Sequence, residues 1–204
     1  MTVIVLCFGG MTVSLTQTLV VPIQGQLPTL LGTSPSNAGW VVTITLLAGA
    51  VSMVISGRLG DLLGKQRVLV ATSSLLVLGS VISAMSDSLA PMLVGRTLQG
   101  FALGFIPVGI ALVREVTPPE MANTAIAAMS ATLGVGGAIG LPLSAFVAQT
   151  FDWHAIFWMG AVLSLLMAAG VVLLVPHLND HAGGSLDLVG VLGLTVGLVA
   201  TLIG

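Results

Sequence analysis

Arg96 is the residue best placed to do chemistry, because it sits inside the apolar run 89–113. A charge at that depth costs about 2.5–3.5 kcal/mol on insertion scales, so it has to face a cavity or a partner. Bonded to neighbouring carbonyls and to Gln99, it would be structural. Open to a cavity, it would anchor an anion or take part in proton coupling, and intramembrane charge points to function first. The first apolar run carries a polar stripe of Ser14, Gln17 and Gln24 at helical spacing, with Gly10 above and Val21 as the apolar interruption. Lipid rejects such a stripe, so it should point into a bundle. There it would serve as interhelical hydrogen bonds, worth about 0.6 kcal/mol on average, as a substrate-facing wall, or as both.

Other chemistries find little support. The acidic residues Asp61, Asp87, Glu115, Glu120, Asp152, Asp180 and Asp187 all fall in loops or at helix ends. A group that carries protons through a span needs a titratable side chain at depth, and no carboxylate here has that position. His154, His177 and His181 lie at membrane edges and Cys7 stands alone, which leaves no metal-ligand spacing, no disulfide framework and no cofactor site. No nucleophile sits beside a plausible base, so an enzyme is not expected. The net charge of -2 comes without a basic patch, which argues against nucleic acid as a partner.

The elements that position these residues follow from composition. The chain is 56% hydrophobic and 6% charged, with a mean hydropathy of +1.15. Soluble domains are about a quarter charged. Seven apolar segments, 2–24, 38–58, 67–86, 89–113, 121–148, 154–175 and 187–204, each come near the roughly 20 residues that cross a hydrocarbon core. In lipid each must be helical, which predicts an all-α polytopic membrane protein. Turn chemistry separates the segments at Gly32-Thr33-Ser34-Pro35-Ser36-Asn37, Ser86-Asp87-Ser88 and His181-Ala182-Gly183-Gly184-Ser185. Thr117, Pro118 and Glu120 read as a capping box opening the fifth helix, with Thr117 at the N-cap and Pro118 at the first helical position. In that helix Gly136 and Gly140 form a Gly-x-x-x-Gly pair before Pro142, and Asn123, Ala127, Ser130, Gly134, Gly137 and Ser144 continue a small-residue face suited to close packing. Gly100, Gly104 and Pro107 in the fourth span read as packing and bending.

Arg58, Lys65 and Arg67 lie between spans two and three, and Arg114 lies between spans four and five. The opposite loops hold no basic residue. The positive-inside rule then puts these loops and the N-terminus in the cytoplasm, with Trp40, Trp153 and Trp158 near the outer interface. The chain ends within an apolar run, at Leu202-Ile203-Gly204, so further sequence is expected.

The order Gly57-Arg58-Leu59-Gly60-Asp61-Leu62-Leu63-Gly64-Lys65-Gln66-Arg67 closely resembles the loop between spans two and three of the major facilitator superfamily of transporters. Leu93-x-x-Arg96-x-x-Gln99-Gly100 resembles the fourth-span motif of that superfamily, whose arginine lines the central cavity and is linked to proton movement. The glycines before Pro142 resemble the fifth-span signature of drug exporters, where they give a kink and a leak-tight seam; here Leu141 intervenes before the proline. Asp152-Trp153-His154 and Leu186-Asp187-Leu188-Val189-Gly190 resemble the entry to span six and the extra seventh span of fourteen-spanning drug:proton antiporters. Those antiporters carry an acid in the first span where this chain reads Leu15-Thr16-Gln17-Thr18.

The resemblance implies an amino-terminal six-span bundle (1–175), a cytoplasmic linker (176–186) and the start of a seventh span (187–204). It also implies a conformational latch formed by Gly57, Asp61, Gly64, Lys65, Arg67 and Glu115, in which Asp61 reaches toward the missing carboxy-terminal half. Glu115 would pair with Lys65 or Arg58. The implied activity is proton-gradient-driven efflux of small, largely apolar compounds from a bacterial plasma membrane. Gln17, Gln24, Arg96 and Gln99 would line the cavity, and Phe101 and Phe105 would supply apolar walls. One alternative within transport is movement of small anions on Arg96. A seven-span photosensor needs a lysine within its last span, and Lys65 is the only lysine.

Overall fold

A computed structural model of the protein describes residues 1–176 and Gly197. Among the described residues six helices are long and apolar enough to cross a membrane: α1 Thr2–Leu30, α2 Pro35–Leu63, α3 Lys65–Ala84, α4 Leu89–Val116, α5 Pro119–Thr150 and α6 His154–Leu174. The expected linker and seventh span lie outside the described residues, apart from Pro176 and Gly197.

The basic loop expected between spans two and three shrinks to a single residue. α2 stays helical through Asp61 to Leu63 and α3 starts at Lys65, leaving Gly64 to turn the chain at φ 93°, ψ 132°. A side chain rarely adopts that φ, so glycine is the residue that lets two long helices meet without a loop. At its other end α2 opens on Ser34, whose side chain accepts the Asn37 N–H at 3.3 Å, with Pro35 at the first helical position.

The expected capping box of α5 does not form. Thr117 is extended, its hydroxyl is buried without a partner among the described residues, and helix begins at Pro119 rather than Pro118. Pro119 itself is the cause. A residue preceding proline is pushed out of the helical region, and Pro118 accordingly sits at φ -52°, ψ 144°.

Two spans are locally broken. α1 is α-helical over Thr2–Thr18, tightens to a 3-10 segment over Val21–Gln26 around Pro22, and resumes over Leu27–Leu30. α4 has a 3-10 turn, Ala102–Gly104, between its α-helical halves Leu89–Phe101 and Phe105–Val116. Pro107 follows one turn later; lacking an N–H, it leaves the Leu103 carbonyl without its usual donor. α5 runs through Pro142 as one helix.

α1 packs along α5 and α6, α2 along α4, and α3 against both α4 and α6. The core is split in two. Leu6, Val13, Leu69, Leu76, Phe105, Met129 and Met167 belong to one buried cluster, and Val20, Ile23, Val41, Met92, Ile156 and Phe157 belong to the other. On α1, α3 and α4 the residues between these clusters in sequence include Gln17, Ser80, Arg96 and Gln99. A polar layer therefore separates two apolar ones.

Candidate functional site: a polar layer inside the bundle

Arg96 and Gln99 lie three residues apart on α4, one turn of one face. Arg96 is 1% exposed and Gln99 is 2% exposed. The Arg96 Nε–H donates to the Val41 carbonyl of α2 at 3.3 Å, and Nη1 donates to Gln99 Oε1 at 2.6 Å. Gln99 Nε2 donates to Ser80 Oγ of α3 at 2.9 Å, and Gln17 Nε2 of α1 donates to the Gln99 backbone carbonyl at 3.4 Å. Four helices thus meet on one guanidinium–amide pair.

Glycines make this convergence possible. A Cβ on Gly95 would stand 2.7 Å from the Gly79 carbonyl oxygen, and one on Gly79 would stand 2.6 Å from that of Gly95. On the next turn a Cβ at Gly100 would meet the Thr45 carbonyl oxygen at 2.5 Å. α3 and α2 therefore press against α4 on either side of Arg96, which brings Ser80 and the Val41 carbonyl within reach.

No carboxylate among the described residues belongs to this layer. The ion pairs among the described residues lie at the helix ends. Arg96 is held by dipoles rather than by a counter-ion, an arrangement that satisfies the charge through hydrogen bonds while leaving it formally unneutralised.

The two ends of the bundle carry their own charged clusters. At one, Lys65 Nζ lies 2.7 Å from Glu115 Oε1 and 3.5 Å from Asp61 Oδ1, tying the end of α2, the start of α3 and the end of α4. Both carboxylates are about half exposed, so each contact contributes roughly 0.2–1 kcal/mol. At the other end His154 joins two connections. Its Nε2 is 3.3 Å from Asp87 Oδ1, its Nδ1 contacts Asp152, and its indole neighbour Trp153 packs with ring centroids 3.7 Å apart. The backbone N–H of His154, then its ring, hold the Asp152 carboxyl below its ordinary value.

A sequence model described as Major Facilitator Superfamily matches residues 6–201. The chain belongs to this superfamily. It is 32% identical over 196 residues to an uncharacterised MFS-type transporter of Mycobacterium tuberculosis, covering 96% of this chain and 28% of that one. It is 31% identical to the tetracenomycin C resistance and export protein of Streptomyces glaucescens, over 95% of this chain and 36% of the relative. It is 28% identical to a putative multidrug resistance protein of Serratia proteamaculans, over 98% and 48% respectively. The chain spans less than half the length of these relatives. Its fold matches the proton:xylose symporter XylE with a TM-score of 0.78 at 14% identity, covering all of this chain and 49% of that one. It also matches the peptide transporter POT with a TM-score of 0.79 at 15% identity, over 99% and 44%.

In this superfamily member the structure brings Gln17, Arg96 and Gln99 together and leaves Gln24 elsewhere. The spacing from Gln17 to Gln24 is two α-helical turns, but the 3-10 segment after Thr18 changes the rotation per residue. Gln24 is exposed and lines a crevice of about 540 Å³ with Val21, Pro28, Pro35 and Ala38. Phe101 borders an apolar cavity of about 530 Å³ between α2 and α3. Phe105 is fully buried, its ring filling the space that the absent side chain of Gly9 leaves. Ser14 donates to the Leu133 carbonyl of α5 at 2.7 Å, so it serves the α1–α5 contact.

Of the residues expected in a latch, Asp61, Lys65 and Glu115 form the ion-paired cluster at the basic end, with Gly64 turning the chain beside them. Gly57 faces open space and Arg67 is exposed on α3. Gly136 and Gly140 lie against α1, at the Met11 carbonyl and the Thr18 hydroxyl. Sequence reasoning missed Ser80 and the His154 cluster. Ser80 belongs to a buried α3 row with Ser73, Leu76 and Ser83, a helical repeat of small polar residues visible in the sequence.

Proposed function

We propose that this chain is the amino-terminal half of a proton-coupled exporter of small, largely apolar compounds that works by alternating access. The observation that carries the reading is the polar layer. A guanidinium with no counter-ion among the described residues, lying between two apolar clusters and paired with a glutamine so that together they bond four helices, is a costly feature that a purely structural bundle has no reason to keep. Relatives named for tetracenomycin C export, actinorhodin transport and multidrug resistance support export over uptake.

The small-residue stripe of α5, Asn123, Ala127, Ser130 and Gly134, is exposed, and it supports a carboxy-terminal half packing there. The Lys65 cluster supports a latch at the cytoplasmic end, oriented by the positive-inside rule so that the N-terminus and Arg67 face the cell interior. Since Asp61, Asp87, Glu115, Glu120 and Asp152 all sit at helix ends or in connections, the proton-carrying carboxylate belongs to the other half. Arg96 then responds electrostatically to that change of charge, and its hydrogen bond to Gln99 passes the resulting shift to α1 and α3.

The test expresses the gene that encodes this chain in full and follows accumulation of a lipophilic fluorescent dye in whole cells. Expressing cells should hold less dye than empty-vector cells. A protonophore or Arg96→Gln should abolish the difference, while Arg96→Lys keeps part of it. Unchanged dye levels together with accumulation of small labelled carboxylates or phosphates would replace this reading by anion uptake on Arg96.

A further inference from the structure

Two grooves meet at one cation on α3. The larger is the cavity of about 530 Å³ between α2 and α3, walled by Ile55, Leu59, Val68 and Leu75. A smaller groove of about 320 Å³ runs along the other flank of α3, walled by Val70 and by Val172 of α6. Arg67 borders both. It is exposed in the first turn of α3 and has no carboxylate partner among the described residues, whereas Lys65, two residues earlier, is engaged by Glu115 and Asp61. Between the grooves the ridge of α3 shows Arg67, Ala71, Ser74 and Leu78, exposed at successive turns of one face.

The two grooves border apolar surface. The adjoining outward row of α6, Val162, Leu165, Leu166, Val172 and Leu173, is exposed and wholly apolar. Arg67, beside the Gly64 turn, stands where that apolar surface gives way to the charged end of the bundle. One positive group at the head of two apolar channels matches an amphiphile with one negative group and two apolar tails.

We propose that α3 is straddled by an anionic glycerophospholipid, its phosphate on the Arg67 guanidinium and one acyl chain in each flanking groove. A guanidinium pairs with phosphate oxygens through two parallel N–H bonds, which an exposed, unpaired arginine is free to offer. Away from Arg67 the larger groove is mostly apolar, with Ser52, Ser56 and Thr72 as its other polar members, and Ser52 and Thr72 already donate to backbone carbonyls. That lining suits a hydrocarbon chain better than a polar solute. The site lies apart from the Arg96 layer and does not depend on what is transported.

The experiment is native mass spectrometry of the delipidated full-length protein, titrated with phosphatidylglycerol, with phosphatidylcholine of the same acyl chains, and with inorganic phosphate. Phosphatidylglycerol should form its first adduct at a concentration about fivefold lower than phosphatidylcholine, the size expected for one arginine near an anionic headgroup. Arg67→Gln should erase that preference, and Arg67→Lys should keep part of it. Leu75→Trp, which fills the larger groove and leaves the charge, should weaken both lipids together. Equal binding of the two lipids, a preference that survives Arg67→Gln, or Arg67-dependent binding of inorganic phosphate that equals that of the lipid would each overturn the proposal.

Discussion

α5 and α6 are adjacent in the chain and both are largely exposed, yet their open surfaces are built from different residues. α6 shows Val162, Leu165, Leu166, Val172 and Leu173. α5 divides into three stripes. Met129, Gly136, Gly140 and Ser144 are buried, with the two glycines against α1; Met121, Val135, Ile139 and Phe146 are large and exposed; Asn123, Ala127, Ser130 and Gly134 are small or polar and exposed. Lipid tails give no reason to select small residues, whereas close approach of another helix does. Exposure alone therefore does not say what covers a membrane helix; the size of the exposed residues does. By that measure the open surface of α6 suits lipid, while α5 suits lipid on one stripe and a protein contact on another.

A charge on each surface breaks the comparison most severely. Leu166→Arg, midway along α6, should cost about 2.5–3.5 kcal/mol of membrane insertion and show as a large loss of membrane-integrated protein. Ser130→Arg on the small stripe of α5 should integrate at clearly higher yield, because there the guanidinium meets protein or a water-filled cavity. Equal losses would show that both surfaces meet lipid and would remove the distinction.

The next largest effect separates the buried stripe of α5 from the small open one. Gly136→Ala drives a Cβ into the Met11 carbonyl of α1, an overpacking that should cost about 1–3 kcal/mol. Gly134→Ala meets nothing within 4 Å in this half and should be neutral or stabilising by up to about 1 kcal/mol from helix propensity. Thermal unfolding of the purified variants in detergent reads the difference. A Gly134→Ala variant as damaged as Gly136→Ala would mean that the stripe is already packed as tightly as the α1 seam.

Much of this arrangement was legible beforehand because bilayer thickness and the lack of water leave few choices. The six described spans follow from apolar length, and Arg96 with Gln99 follows from a charge and an amide one turn apart. The failures have local causes. An unbroken α-helical period would put Gln24 beside Gln17, but the 3-10 segment Val21–Gln26 interrupts it. Thr117 looked like an N-cap, but the second of two consecutive prolines decides where α5 starts. Asp61 and Lys65 read as loop residues from their charge and the flanking glycines, yet Gly64 alone turns the chain. Ser80 and the Val41 carbonyl were out of reach for a different reason. They contact Arg96 and Gln99 through the register of α2 and α3 on α4, which close backbone contacts at Gly95 and Gly100 set and no spacing within one helix encodes.

The gentlest test uses single cysteines in a Cys7→Ser background, one at Ala127 on α5 and one at Leu165 on α6. Both native residues are exposed in this half, so neither substitution should move stability by more than about 0.5 kcal/mol. The readout is the rate of reaction with a membrane-impermeant maleimide in intact membranes and again in detergent. Leu165→Cys should stay unreactive in membranes, because hydrocarbon holds its thiol away from water and from the thiolate form. Ala127→Cys on a stripe that lines an alternating interface should react in membranes, and a transported substrate that closes that interface should slow it. Substrate protection separates a moving protein contact from a static one: a thiol sealed permanently against another helix would be as silent as Leu165→Cys, and a thiol in a fixed water-filled crevice would react at the same rate with or without substrate. Only a surface that opens and closes gives a rate that responds.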